Sequence, residues 1–148
     1  MVEKLVVCGS CGGINRLPEA RPATGAKCGK CASKLFRGHP DDISGDNLGR
    51  QIDRGTLPVL VDVWAPWCGP CRTMAPAFEA AAAVLEPEVR LVKLNSDRHQ
   101  ATSAELGIRG IPTMILFAGG REIARVSGAM TTGEITNWVR ERLPAVAS

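Results

Sequence analysis

The apolar positions of this chain change period several times, and each change predicts an element. Residues 59–64, Val-Leu-Val-Asp-Val-Trp, are almost continuously apolar. That pattern suits a strand covered on both faces. Residues 70–85 repeat differently: Met74, Phe78, Ala81 and Leu85 recur on one side of an Ala-rich stretch. The spacing predicts a helix with Pro70 near its first turn. Pro76 lies inside it and is expected to kink it. A second buried strand is predicted over 91–94, and a short helix over 101–106 ended by Gly107. Residues 113–118 and 122–126 flank Gly119-Gly120, which is a hairpin signal. Thr131 with Glu134 three residues on reads as a capping box. It opens a last helix with Ile135, Trp138, Val139 and Leu143 on one face. Ahead of all these, residues 47–53 predict a short helix closed by Gly55. From residue 59 onward the order β-α-β-α-β-β-α gives an α/β sandwich with parallel and antiparallel strands.

The front of the chain follows none of these periods. Residues 1–38 are rich in Gly, Cys and Lys and bury little apolar surface on their own. A segment this short needs a staple such as a metal. His39-Pro40-Asp41-Asp42 reads as the joint, because Pro and acidic residues favour turns. The expected organisation is a module over 1–38 and a domain over 39–148. Charge divides at the same place. Residues 1–40 hold seven Lys or Arg against Glu3 and Glu19, while the rest holds eleven against thirteen acids. Two parts with different surfaces are expected.

Composition narrows the class. With 148 residues, 45% hydrophobic and 22% charged, the chain is expected to fold as a soluble protein. No apolar stretch approaches the roughly 20 residues of a membrane helix, so no membrane partner is expected. Leu5-Val6-Val7 is too short for a signal h-region, which makes the cytoplasm the expected location. A reducing compartment disfavours structural disulfides. Yet all six cysteines fall into Cys-x-x-Cys pairs: Cys8/Cys11, Cys28/Cys31 and Cys68/Cys71.

Cys68 and Cys71 stand between a predicted strand and a predicted helix. Two cysteines three apart at a helix start share a face and lie within disulfide reach. The free N–H groups and the positive dipole end favour a thiolate at Cys68. Cys71, one turn in, suits the resolving role. Gly69 lets a substrate backbone approach, and Pro70 stiffens the turn. The alternative is a structural or metal-binding pair. Pro70 argues against a metal knuckle, because it lacks a backbone N–H to bond a sulfur. Asp62 is an acid inside an apolar strand, and burial there raises its pKa. From the residues alone it is either a proton acceptor near Cys71 or a carboxylate satisfied by an ion pair or cap. Trp67 is expected at the surface beside Cys68, where it can meet substrates. Trp64 and Trp138 are expected in the core, and Met74 as core filler. His99 reads as a surface or capping residue.

Cys8-Gly9-Ser10-Cys11 and Cys28-Gly29-Lys30-Cys31 differ in context. Two such pairs separated by sixteen residues match a four-sulfur structural zinc site with no open position for water. The glycines after cysteine permit the tight turns. A second redox pair, disulfides or iron are the competing readings. His39 lies outside both pairs. The basic surplus here raises the question of nucleic acid. Four thiolates on one zinc carry −2 and reduce that surplus. Only Phe36 accompanies the lysines, so base stacking has no platform and nucleic acid is not an expected partner.

The run Val59-Leu60-Val61-Asp62-Val63-Trp64-Ala65-Pro66-Trp67-Cys68-Gly69-Pro70-Cys71 resembles the thioredoxin family. The likeness continues through Pro76, Lys93-Leu94-Asn95, Ile111-Pro112-Thr113 and Gly128-Ala129, and spans about residues 41–143. The front segment resembles the zinc-binding extension of the thioredoxin 2 subgroup. The resemblance implies a thioredoxin-like three-layer α/β/α sandwich with a mixed sheet, plus a small zinc-ribbon-like module. It implies the proton-handling role for Asp62, with Lys93 as its charge neighbour. It implies a cis Ile111–Pro112 bond facing Cys68, where a substrate strand can pair with Ile111; the alternative for Pro112 is a plain turn. The implied activity is reduction of protein disulfides by a monomeric enzyme recycled by thioredoxin reductase. Two other functions compete: a non-catalytic zinc-ribbon adaptor, and a disulfide oxidase or isomerase. Cys68, Cys71, Asp62 and Ile111-Pro112 together favour the reductase.

Overall fold

The computed structural model describes residues 4–18, 20 and 22–143. The outer ends of the two expected parts, 1–3 and 144–148, lie outside the described residues. The main sheet has five strands: β3 (Asp41–Asp42), β4 (Val59–Trp64), β5 (Arg90–Asn95), β6 (Thr113–Ala118) and β7 (Arg121–Ser127). Their spatial order is β3-β5-β4-β6-β7. The first three run parallel, while β6 and β7 run antiparallel to their neighbours.

Helices cover both faces of this sheet, which is why β4 reads as an unbroken apolar run. Leu60, Leu91, Met114 and Leu116 pack under α2 (Gly69–Leu85) and α4 (Thr132–Arg142). Val59, Val61, Val63, Val92 and Ile115 face the other way, toward α1 (Gly45–Asp53) and the region of α3 (Gln100–Glu105). Side chains alternate along a strand, so Asp62 shares the α2 face with Leu60. The three-layer arrangement agrees with the expected fold class.

Local signals explain most boundaries. The Thr131 hydroxyl accepts from the Glu134 N–H and the Glu134 carboxylate accepts from the Thr131 N–H, so the capping box forms. Gly119 and Gly120 both adopt positive φ at the β6–β7 turn, as a tight hairpin of this hand requires. Gly107, at φ +68, ends α3. Met74, Phe78, Ala81 and Leu85 are all buried.

Several expectations need correction. Asp41 and Asp42 are not a plain turn, because they pair with Val92 and Lys93 and form the edge of the sheet. Gly55 does not close α1 through a left-handed conformation. It is glycine because a Cβ there would lie 2.8 Å from the Gln51 carbonyl oxygen. Trp64 and Trp138 are half-buried and pack against the core from its rim. The front segment also holds more regular structure than its composition suggests, with β1 (Lys4–Val7) and β2 (Ile14–Leu17) pairing as an antiparallel hairpin.

The front module is bolted to the domain. Val6, Leu17, Leu35 and Phe36 form its small core, against which Leu57 packs. From α1, Gln51 donates to Val7 O at 3.0 Å, Asn47 to Cys8 O at 3.1 Å and Arg50 to Gly12 O at 3.0 Å. At the start of β5, the buried Arg90 donates to Leu35 O at 2.6 Å and to Asp41 at 3.0 Å. Asp41 also pairs with Arg37. The buried Arg90 guanidinium is thus shared between the two parts, and its partners compensate the charge.

Candidate functional site

Cys68 caps the N-terminus of α2, with Pro70 in the first turn. Its Sγ accepts from the Cys71 N–H at 3.2 Å. Cys68 and Cys71 are joined as a disulfide, with their Cα atoms 5.2 Å apart. The helix end supplies unpaired N–H groups and positive dipole at Cys68, which favour its thiolate once the bond is reduced. Both sulfurs lie in a small apolar cluster with Ala65, and Trp64 and Ile111 pack against it.

The surrounding residues define one face. Trp67 is 68% exposed, and its Nε1 donates to Asp97 at 3.2 Å. A Cβ on Gly69 would meet nothing within 4 Å, so the chain here is open to an incoming backbone. Ile111–Pro112 is cis, and the Ile111 carbonyl oxygen lies 3.7 Å from Cys68 Sγ. Pro112 itself is buried at the root of β6.

Asp62 is 1% exposed, and its Oδ1 has no hydrogen-bond partner among the described residues. Burial pushes its carboxyl up from 3.8 to about 7. Lys93 opposes the rise and Asp42 adds to it. Lys93 is its register partner on β5, with its ammonium 4.4 Å from the centre of the Trp64 ring. Sequence reasoning missed Asp42 here. It holds Trp64 Nε1 at 3.1 Å and contributes charge near Asp62. Its signal was hidden because 39–42 read as a linker rather than a strand. His99 marks the start of α3 but makes no side-chain cap.

The other four cysteines form a separate cluster. Their sulfurs all lie within 4.8 Å of one another. Cys8 and Cys31 sulfurs are 3.7 Å apart, and those of Cys11 and Cys28 are 3.6 Å apart. A tetrahedral zinc with bonds of about 2.3 Å needs sulfur separations near 3.8 Å, so the donor set fits. Backbone N–H groups point at the sulfurs: Ser10 to Cys8 at 3.3 Å, Gly13 to Cys11 at 3.4 Å and Lys30 to Cys28 at 3.4 Å. Gly12 takes φ +75 to complete the first knuckle. Gly9 serves another purpose, because a Cβ there would run into Asp41 and Arg90. His39 lies outside the cluster, beside Pro40 O.

The thioredoxin family profile matches residues 41–141. The chain belongs to the thioredoxin family. A second profile, described as thioredoxin 2, N-terminal, matches residues 7–33 and is that of a zinc ribbon. Thioredoxin C-3 of Corynebacterium nephridii is 40% identical over 94% of this chain and 95% of its own length. The M-type chloroplastic thioredoxin of Chlamydomonas reinhardtii is 36% identical over 84% of this chain and 88% of its own. A solved mutant thioredoxin from Halobacterium salinarum superposes with a TM-score of 0.64 at 28% identity, covering 71% of this chain and 91% of its own. The chain is therefore a thiol–disulfide oxidoreductase of the thioredoxin type with a structural zinc-ribbon attachment. No helix among the described residues is long and apolar enough to cross a membrane.

Proposed function

We propose that this thioredoxin reduces protein disulfides through Cys68 and Cys71 and is recycled by thioredoxin reductase. The observation that carries the reading is the Cys68–Cys71 disulfide at the start of α2, flanked by the exposed Trp67, Gly69 and Pro70. In the reduced form, the Cys68 thiolate attacks one sulfur of a substrate disulfide. A mixed disulfide forms and one substrate thiolate leaves. The Asp62 carboxylate takes the Cys71 proton. Cys71 then attacks Cys68 Sγ, restores the internal disulfide and expels the second substrate thiolate. Two electrons pass from the dithiol to the substrate, and the reductase returns two.

The supporting residues act around this exchange. Trp67, Gly69 and Pro70 shape the surface a substrate meets. The Ile111 carbonyl beside Cys68 can pair with an extended substrate segment, with Pro112 fixing that loop. Lys93 tempers the rise of the Asp62 pKa. Cys8, Cys11, Cys28 and Cys31 hold the zinc, which supplies a rigid cross-link and no chemistry to the exchange. The parts divide near residue 38, and the chain works as a monomer in the cytoplasm. A reductase role suits the Gly-Pro dipeptide better than an oxidase or isomerase role.

The test is reduction of insulin driven by NADPH and thioredoxin reductase. Turnover by the wild type and its loss in Cys68→Ser is the expected result. An inactive wild type with intact zinc favours the adaptor reading instead.

A further inference from the structure

Asn15, on β2, makes contacts that neither the redox chemistry nor the four cysteines account for. Its Oδ1 accepts from the Gly29 N–H at 2.8 Å. That N–H can only be met by an oxygen, which fixes the amide orientation. Nδ2 therefore turns inward, 3.5 Å from Cys28 Sγ, 3.2 Å from Gly13 O and 3.4 Å from Val6 O. One side chain thus touches both knuckles: Gly13 lies two residues after Cys11, and Gly29 directly follows Cys28. It also brings a side-chain N–H to Cys28 Sγ, beside the backbone N–H groups of Lys30 and Cys31.

We propose that Asn15 is a positioning residue of the zinc centre, setting the second knuckle against the first and holding the Cys28 sulfur by its amide N–H. This rests on the zinc reading of the four cysteines. The chemistry follows from the donor set. A thiolate binding zinc keeps lone-pair density that N–H groups stabilise. Partners behind the ligands orient them, and removing one such partner costs about 10–100-fold in metal affinity. An aspartate at position 15 keeps the acceptor for Gly29 but swaps the inward N–H for an oxygen. That oxygen faces the Cys28 sulfur and two carbonyls, all of them acceptors.

The test uses the full chain, with zinc affinity measured by competition against a chromophoric chelator. Asn15→Ala is expected to weaken zinc binding about tenfold, and Asn15→Asp to weaken it further. Cobalt substituted for zinc supplies an independent readout. Loss of the N–H on sulfur is expected to move the thiolate-to-cobalt charge-transfer band to lower energy in both variants. Asn15→Ser, which keeps a short donor, is expected between wild type and alanine and supplies the same ordering should the alanine chain not fold. Insulin reduction should be unchanged throughout, because the redox pair lies elsewhere. Affinities within twofold of wild type overturn the proposal, as does a weakening equal in Ala and Asp with an unmoved cobalt band. A wild-type chain that binds no zinc refutes the zinc assignment itself, and is distinguishable from either result.

Discussion

Three Cys-x-x-Cys pairs share one spacing, yet the molecule uses them for two kinds of chemistry. The residue two places after the first cysteine separates them. In the front module that residue is Ser10 or Lys30, and its N–H points at the sulfur of Cys8 or Cys28. In the redox pair it is Pro70, which has no N–H to give. There the chain continues into α2, and the Cys71 N–H serves Cys68 instead. The knuckles turn back on themselves through left-handed residues, Gly12 and Ala32. A turned-back chain gathers four sulfurs around a point, whereas a helix start presents one sulfur to a visitor. The two centres also sit at opposite ends of the sheet. The module docks on Thr56 and Arg90, before β4 and at the head of β5. Cys68 follows the far end of β4. The length of that strand separates them, on the order of 20 Å, too far for sulfur exchange within one chain.

The largest effect expected from this comparison is a clean exchange of losses. Cys68→Ser should lower insulin reduction on the order of 10³-fold or more while zinc content stays at one per chain. Cys28→Ser should do the reverse, losing zinc while turnover at 25 °C is largely kept. Parallel measurement of metal content and turnover checks both. Coupled loss in either variant breaks the picture of two independent centres.

Next in size is Asp62→Asn, which touches the redox centre alone. Turnover should fall about 10²-fold at neutral pH, since a positioned proton acceptor contributes at that scale. The wild-type rate should rise with pH through about 7, where burial places the Asp62 carboxyl, and the variant should lack that inflection. Stability should move the other way. The folded state resists charging Asp62, so the penalty is absent below pH 3.8, grows as pH rises and is complete above about 7. Asparagine removes that penalty, which is on the order of a few kcal/mol. Urea unfolding should therefore show the variant gaining most at pH 8 and least at pH 4. A rate profile identical to wild type removes Asp62 from the proton path.

How much of this was legible in the sequence differs between the two regions. The redox end was almost wholly legible, because β4, Cys68, Pro70 and the Ala-rich α2 each carry a local signal of their own. Asp62 was visible as the one acid in an apolar run. The joint was not legible. Asp41-Asp42 has the composition of a turn, and only pairing with Val92 and Lys93 makes it a strand. Burial of Arg90 depends on Leu35, 55 residues away, and no window of sequence holds both. Asn15 carried no signal in the sequence for the same reason, because its partners Cys28 and Gly29 lie beyond any local pattern.

Gly9→Ala probes that joint and should produce a smaller change. The added methyl would run into Asp41, which Arg37 and Arg90 hold in place and which therefore cannot swing away. Overpacking of this kind costs about 1–3 kcal/mol. Thermal unfolding should show that loss, with zinc content and insulin reduction at 25 °C unchanged. A variant as stable as wild type would mean the module is not seated against Arg90.

The smallest expected effect compares the two knuckles with each other. Gly12 and Ala32 occupy the same place, four residues after Cys8 and Cys28, and both take positive φ, +75 and +65. Gly12 N donates to Cys8 O and Ala32 N to Cys28 O, each at 2.9 Å, so the backbone bonds match as well. The side chains differ, and so do the surroundings: Arg50 donates to Gly12 O at 3.0 Å, and a Cβ on Gly12 would lie 3.1 Å from its Nη1. Alanine in the left-handed region costs roughly 1–2 kcal/mol, a cost glycine avoids. Glycine gives part of this back through the greater freedom of the unfolded chain. Ala32→Gly should therefore stabilise the zinc-loaded module by about 0.5 kcal/mol, read as slower zinc loss to a chelator at fixed urea. Gly12→Ala should shift the same rate in the opposite direction, because it installs in the first knuckle the strain that the second already bears. The Gly12→Ala shift should be the larger of the two, because its methyl also crowds Arg50, and shifts of the same sign would show that the left-handed cost does not set the rate.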